Sequence, residues 1–391
     1  MPGRTRGKAG QEGRGRGRAA GRQAGQVPEP AQLAQEKLAR TLTGRAHLAL
    51  SYRRDGRLSY AIAIEEQVVA DAVRVLGPGH ADTLTLRQQL AVSYQEAGRF
   101  AEAISLLEQA LAGREQIQGR DHPDVLAALA MLALCHGKAG HAADALTAAE
   151  RALPGLIQAF GPADALTRAI QLLLSDCYAG AGRAGDAVAV AEQIAAASAR
   201  EFGPDHREAL AARAYLAHRL RQAGHAADAI VLAEQVATEG ARILGPDDPD
   251  TLTGWSLLAD CYQLGGRNAD AVALHERVVT GRTRVLGPEH VHTLKARTVL
   301  SGGYRQAGQT ADAVAVAEQV SADCARILGP GHAETLAARA NLAACYEQAG
   351  RMAEAVAIAE NIVADLIRVL GPGHPPAKYA ADLIKRSRQP P

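Results

Sequence analysis

Two series of glycines with one shared period constrain this chain more than any other feature. Gly56, Gly98, Gly140, Gly182, Gly224, Gly266, Gly308 and Gly350 stand 42 residues apart, in turns of the Ala-Gly-Arg kind. Gly77, Gly119, Gly161, Gly203, Gly245, Gly287, Gly329 and Gly371 form a second series with the same spacing, typically in Leu-Gly-Pro-x-His. No insertion or deletion interrupts either. A repeat of this size marks a solenoid, in which a unit cannot bury its apolar face alone and relies on its neighbours. A length of 391 residues would otherwise suggest two or three domains at roughly 150 residues each. Here it divides into a tail (1–30), an eight-unit solenoid (31–375) and a closing segment (376–391).

Each unit reads as two antiparallel helices. Helix A runs from the Gly-Pro-x-His loop to the turn glycine, as over 82–96, and helix B from there to the next loop, as over 100–116. Asp82, Asp124, Asp250 and Glu334 open helix A, where a carboxylate is expected to cap free amides and meet the positive end of the dipole. Glycine at the turn supplies left-handed backbone, and proline after the second glycine stops helix B. Composition agrees with an all-α chain. Hydrophobic residues are 47% but aromatics only 3%, so the interior must be closely packed small aliphatic side chains. No apolar run approaches the ~18 residues of a membrane span, and the Gly/Arg-rich start lacks the apolar stretch of a secretory signal. The expected setting is cytoplasmic.

Packing positions follow from the register. Leu always stands eight residues before the turn glycine (Leu48 to Leu342), and Ala always five after it (Ala61 to Ala355). Tyr stands four before it in six units, with His136 and Leu220 in the other two. Small residues let two helices approach while Leu and Tyr fill the space beside them. Glu stands ten residues after every turn glycine, and Arg eleven before it in five units (Arg45, Arg87, Arg213, Arg297, Arg339). This spacing suggests that each Glu pairs with the next unit's Arg, as Glu66 with Arg87.

The pattern of Tyr, Gly and Ala resembles the tetratricopeptide repeat, and Trp255 occupies that family's Trp position. Its usual unit is about 34 residues. The longer period here, and the segment Gly119-Arg120-Asp121-His122-Pro123-Asp124-Val125, resemble the kinesin-light-chain type. The resemblance covers about 35–371. It implies a right-handed superhelical solenoid of eight antiparallel helix pairs, with helix A lining a concave groove that binds a protein or peptide segment. The kinesin type carries an Asn pair in helix A that reads peptide backbone; here that pair is Gln88-Gln89 in one unit, and Asn341 keeps one Asn in another.

Mapped onto this chain, the groove positions implied by the resemblance are Arg53, Arg54, Gln88, Gln95, Asp176, His218, Arg221, Asp260, Gln263, Lys295, Arg305 and Asn341. Arginine grips carboxylates bidentately. Arg221, Lys295 and Arg305 are therefore read as one stretch preferring an acidic partner.

Other candidate chemistry dissolves into the repeat. The loop histidines His80, His122, His206, His290, His332 and His374 occur one per unit, too far apart to share a metal ion bound at ~2 Å, and are expected to hold the loop through backbone hydrogen bonds. Cys135, Cys177, Cys261 and Cys345 share one register and cannot reach disulfide separation; with Cys324 they read as small buried fillers. A literal GxGxxG at 180–185 lies in a helix-to-helix turn, without the preceding strand a dinucleotide site needs. No catalytic residue, cofactor, metal or small-molecule substrate is expected. The tail carries seven basic and two acidic residues, and its Gly/Arg run (13–18) resembles segments that bind nucleic acid nonspecifically. It lacks aromatics for base stacking and reads as a solvated tail. The function expected is a protein-interaction scaffold. The alternatives are a partner-sensing regulatory module, and nucleic-acid binding through the tail.

Overall fold

The computed structural model describes residues 30–388, so the expectations for the tail lie outside the described residues. Seventeen α-helices, and no strand, make up the described residues. They alternate as the two glycine series require. The helix A/helix B pairs are α1 (Pro30–Arg54) with α2 (Leu58–Leu76), α3 (Ala81–Glu96) with α4 (Phe100–Gln118), α5 (Pro123–Ala139) with α6 (Ala142–Phe160), and α7 (Ala165–Gly180) with α8 (Ala184–Phe202). The series continues with α9 (Arg207–Gln222) and α10 (Ala226–Ile243), α11 (Pro249–Leu264) and α12 (Asn268–Leu286), α13 (Val291–Gln306) and α14 (Thr310–Leu328), and α15 (Ala333–Gln348) and α16 (Met352–Leu370). A last helix, α17 (Pro375–Arg388), follows alone. The chain divides into two compact units, 1–86 and 87–391, the division falling inside α3.

All sixteen glycines have positive φ, but the two series differ. The turn after helix A is left-handed helical, as at Gly140 (φ 80°, ψ 10°). The loop after helix B is extended with positive φ, as at Gly287 (φ 87°, ψ 161°), a region open essentially to glycine alone. The first residue of the loop's partner helix is capped differently from the expectation. In five loops the histidine caps: Nδ1 of His80, His122, His206, His290 and His332 accepts the amide two residues on, at 3.2 Å. The carboxylates of Asp164 and Asp248 do the same at 2.9 Å. Asp82, Asp124, Asp250 and Glu334 thus donate their amides to the cap rather than supplying it, because each is the second residue of its helix, two positions past the cap.

Within 87–391 the helices pack in chain order, each against the next from α4 to α17. Helix A also packs on helix A (α5 on α7, α9 on α11, α13 on α15, α15 on α17), whereas no two successive helices B pack so among the described residues. That places helix A on the inner side of the stack. The alanines five residues after the turn glycine are at most 2% exposed in all eight units. Leu252, Leu294 and Leu336, one helix-A register apart, are as deeply buried, each contributing roughly 2 kcal/mol by removal from water. Leu48 is the exception in the Leu column, 49% exposed on α1. In 1–86, Leu42 of α1 packs with Val68 and Ala72 of α2. At the other end Leu383 of α17 is fully buried against α15 and α16, with Tyr379 packed beside it. No described helix is long and apolar enough to cross a membrane.

Candidate functional site

The turn between helices A and B builds a polar cluster from backbone geometry. In all eight turns the amide one residue after the glycine donates to the carbonyl four residues before it, at 2.8–2.9 Å. This six-to-one bond sets the two side chains side by side. Arg99, Arg183, Arg267 and Arg351 therefore lie over the rings of Tyr94, Tyr178, Tyr262 and Tyr346, 3.8–4.2 Å from their centroids. The tyrosine hydroxyl donates to the glutamate of the preceding helix B: Tyr178 to Glu150 at 2.8 Å, Tyr262 to Glu234 at 2.7 Å, Tyr304 to Glu276 at 2.6 Å and Tyr346 to Glu318 at 2.7 Å. Burial, followed by the bond to glutamate, holds these phenols above their usual range, Tyr304 at about 12.

This corrects the expected glutamate–arginine pairing. In these four units the repeated Glu meets the next unit's Tyr, not the Arg eleven residues before the turn. That Arg turns back to its own helix B, Arg45 to Asp71 and Arg297 to Asp323, both at 2.7 Å, and Arg213 to Glu239. Its partner lies five residues beyond the repeated Glu, more than a helical turn away.

The helix-A positions expected to form a groove meet different fates. Arg53 and Arg54 end α1, at the negative end of its dipole. Gln88 is drawn into its own helix pair, accepting from the buried Arg114 of α4 at 2.9 Å. Gln95 lies beside the Cys135 thiol of α5, which burial raises above its usual range. Asn341 straps α15 to α13, donating to Ser301 Oγ at 2.6 Å and to the Thr298 carbonyl at 3.4 Å. Lys295 lies 3.9 Å from Glu334. It is ten residues, ~15 Å of helix, from Arg305, so the three cations do not make one stretch.

The structure does bring together His218, Arg221 and Asp260, between α9 and α11. Burial raises the Asp260 carboxyl, with Arg221 opposing the shift. Burial and the charge of Arg221 lower His218. Further along α11, one register on from Arg221, Gln263 lies 3.4 Å from His275, whose ring burial pushes down to about 4. The Nε atoms of Arg221 and Arg305 are buried with no hydrogen-bond partner among the described residues.

Tyr215 and Arg219 escaped the sequence reading. Arg219, 6% exposed, holds the register where four other units have cysteine. It donates to the Tyr215 hydroxyl at 2.8 Å, lies over that ring, and pairs with Asp176. The Tyr215 hydroxyl lies 3.2 Å from an Asp176 carboxylate oxygen and 3.3 Å from the Leu172 carbonyl of α7, with one proton to give to either. The signal available was the break in the cysteine column. Beside this cluster is a cavity of about 330 Å³, lined by Leu210, Tyr215 and His218 of α9, Val236 and Leu244 of α10, and Thr253 and Leu257 of α11. The buried thiols are poor nucleophiles: burial raises Cys261, Cys324 and Cys345 to about 11.

A tetratricopeptide-repeat family model matches residues 38–116, 86–158 and 250–324, and a second matches 209–250 and 335–376. The chain belongs to the tetratricopeptide-repeat family. Its repeats are of the kinesin-light-chain-like type. A putative kinesin light chain of Podosopora anserina with nearly identical TPR-like repeats is 32% identical over 51% of this tetratricopeptide-repeat chain and 94% of its own, with a TM-score of 0.45. Apo RapI is 8% identical over 89% and 97% of the two chains, TM-score 0.55. The apo quorum sensor NprR of B. thuringiensis is 14% identical over 86% and 95%, TM-score 0.56. These last two share the fold. No curated protein matches the chain.

Proposed function

We propose that this tetratricopeptide-repeat protein is a non-catalytic scaffold that holds an extended protein or peptide segment along helix A. The observation that carries this reading is the pair of buried, unpartnered Nε donors on Arg221 and Arg305, at one register two units apart. A buried donor without an acceptor costs about 1–3 kcal/mol, so turning either guanidinium outward costs little, and a carboxylate or backbone carbonyl from a bound segment would then supply the acceptor. Gln263 occupies the same register between them, and the apolar cavity beside His218 would take a side chain of that segment. Asp176, Asp260 and Lys295 then form the remaining charged wall, and Gln95 and Asn341 brace it.

The test is an array of extended peptides graded from basic to acidic, probed with the full chain. Retention should rise with acidic content, and R221E/R305E should weaken it tenfold or more, in line with about 2 kcal/mol or more for a buried charged contact. Equal retention of basic and acidic peptides, or a variant that binds as well as the parent, would overturn the reading.

A further inference from the structure

The turn at Gly140 departs from its siblings at two positions at once. Where five other units place Tyr before the glycine and Arg after it, this one has His136 and His141, and it keeps the acid four residues on, Asp144. The Gly224 turn also departs at both places, but its Leu220 leaves His225 without a second ring. The backbone is unchanged, with the His141 amide on the His136 carbonyl at 2.9 Å. The bond that elsewhere lays a guanidinium on a phenol here brings two tilted imidazoles edge to edge, with Nδ1 3.4 Å from Nδ1. Asp144 Oδ2 lies 4.0 Å from His136 Nδ1, and one ligand atom from each of the three residues falls within 4.8 Å of the others.

We propose that His136, His141 and Asp144 bind one divalent transition-metal ion of the zinc class. Tetrahedral zinc with nitrogen ligands at ~2.0–2.1 Å places neighbouring ligand atoms ~3.3–3.4 Å apart, the separation the two rings already have. Only the exposed Asp144 side chain must move inward, by roughly 0.7 Å relative to His136 and by at most about 1.5 Å relative to His141 on the same geometry. His136 is 8% exposed and held in place by α5, so one ligand is fixed in advance. Without an ion, a proton on one Nδ1 can bridge the pair; the ion replaces that proton and takes both lone pairs. The fourth position is left for water. Imidazole and carboxylate together suit zinc, cobalt or nickel better than calcium or magnesium. The loop histidines stay one to a unit and take no part, and the Nδ1 atoms of His80, His122, His206, His290 and His332 are engaged as helix caps.

Isothermal titration of the full chain with Zn²⁺, and visible spectroscopy with Co²⁺, test the site. The parent should take up one equivalent with micromolar or tighter affinity, and Co²⁺ should show the intense bands of tetrahedral coordination. H136Y/H141R rebuilds the sibling turn on an unchanged backbone and should lose that equivalent. D144N keeps both rings and should weaken binding tenfold or more. A parent that takes up no Zn²⁺ at micromolar concentration would overturn the proposal. So would a rebuilt turn that keeps the full stoichiometry, or a D144N variant with parental affinity.

Discussion

At Gly266, Arg267 lies 3.8 Å over the Tyr262 ring, Tyr262 donates to Glu234, and Arg267 Nε reaches Asp270 at 2.8 Å. At Gly140, three units earlier in chain order, the same backbone bond joins His141 to His136, and the rings tilt at 43° with centroids 5.7 Å apart. Both turns rest on a fully buried alanine, Ala271 in one and Ala145 in the other. They differ again nine residues after the glycine, where one unit buries His275 and the other Ala149. The frame is therefore set by backbone and small side chains, while the polar groups mounted on it can change. A solenoid allows this because each unit answers only to its neighbours.

The largest expected difference between these units comes from acid. Burial lowers His275 to about 4 from an ordinary 6.5, so the unfolded chain binds this proton first as the pH falls. The stability His275 confers when neutral is complete above about pH 6.5 and is lost between there and pH 4, to the extent of about 3 kcal/mol. Urea unfolding at pH 7 and pH 4.5 should show the loss, and His275→Gln should flatten it. A variant with the parent's pH slope would mean that the unit at Gly266 is no more acid-sensitive than its sibling.

Next in size is the shared frame. Ala145→Leu and Ala271→Leu each overpack a closed helix contact and should cost about 1–3 kcal/mol, nearly equally. Markedly unequal losses in denaturant midpoint would show that the two frames are not equivalent. Smaller still is the hydroxyl at Gly266's turn. Tyr262→Phe removes the donor to Glu234 and should cost about 1 kcal/mol in thermal unfolding. The smallest effect belongs to the other turn. In metal-free buffer H136Y/H141R should change stability by about 0.5 kcal/mol or less, because the replaced groups already occur on that backbone elsewhere. A large loss would mean that the histidine pair itself stabilises the metal-free fold.

Much of the architecture was legible beforehand. Helix order, the turn glycines, the buried Ala and Leu columns and the capping role of the loop histidines all follow from local rules that repeat with the period. The errors were of another kind. The acidic residues that open helix A lie two positions too late to cap. The repeated Glu meets Tyr on the next unit, 28 residues on, and the Arg expected to meet it pairs within its own unit. Gln88 and Asn341, offered as groove residues, are tied to neighbouring helices instead. Arg219 went unnoticed because a charged residue in a column of buried cysteines has no place in an apolar pattern. Its partners, Tyr215 and Asp176, lie on two different helices.

The amino-acid sequence alone settled the helical pairing, the number of units and the path of the chain through each turn. Those depend on bonds four to six residues long and on φ values that only glycine adopts readily. The tertiary structure alone decided which polar groups meet: Tyr with Glu, Arg114 with Gln88, His136 with His141 and Asp144. A fixed period repeats positions but does not set the last ångström or two between packed helices. Hydrogen bonds and ligand geometries are won or lost within that distance.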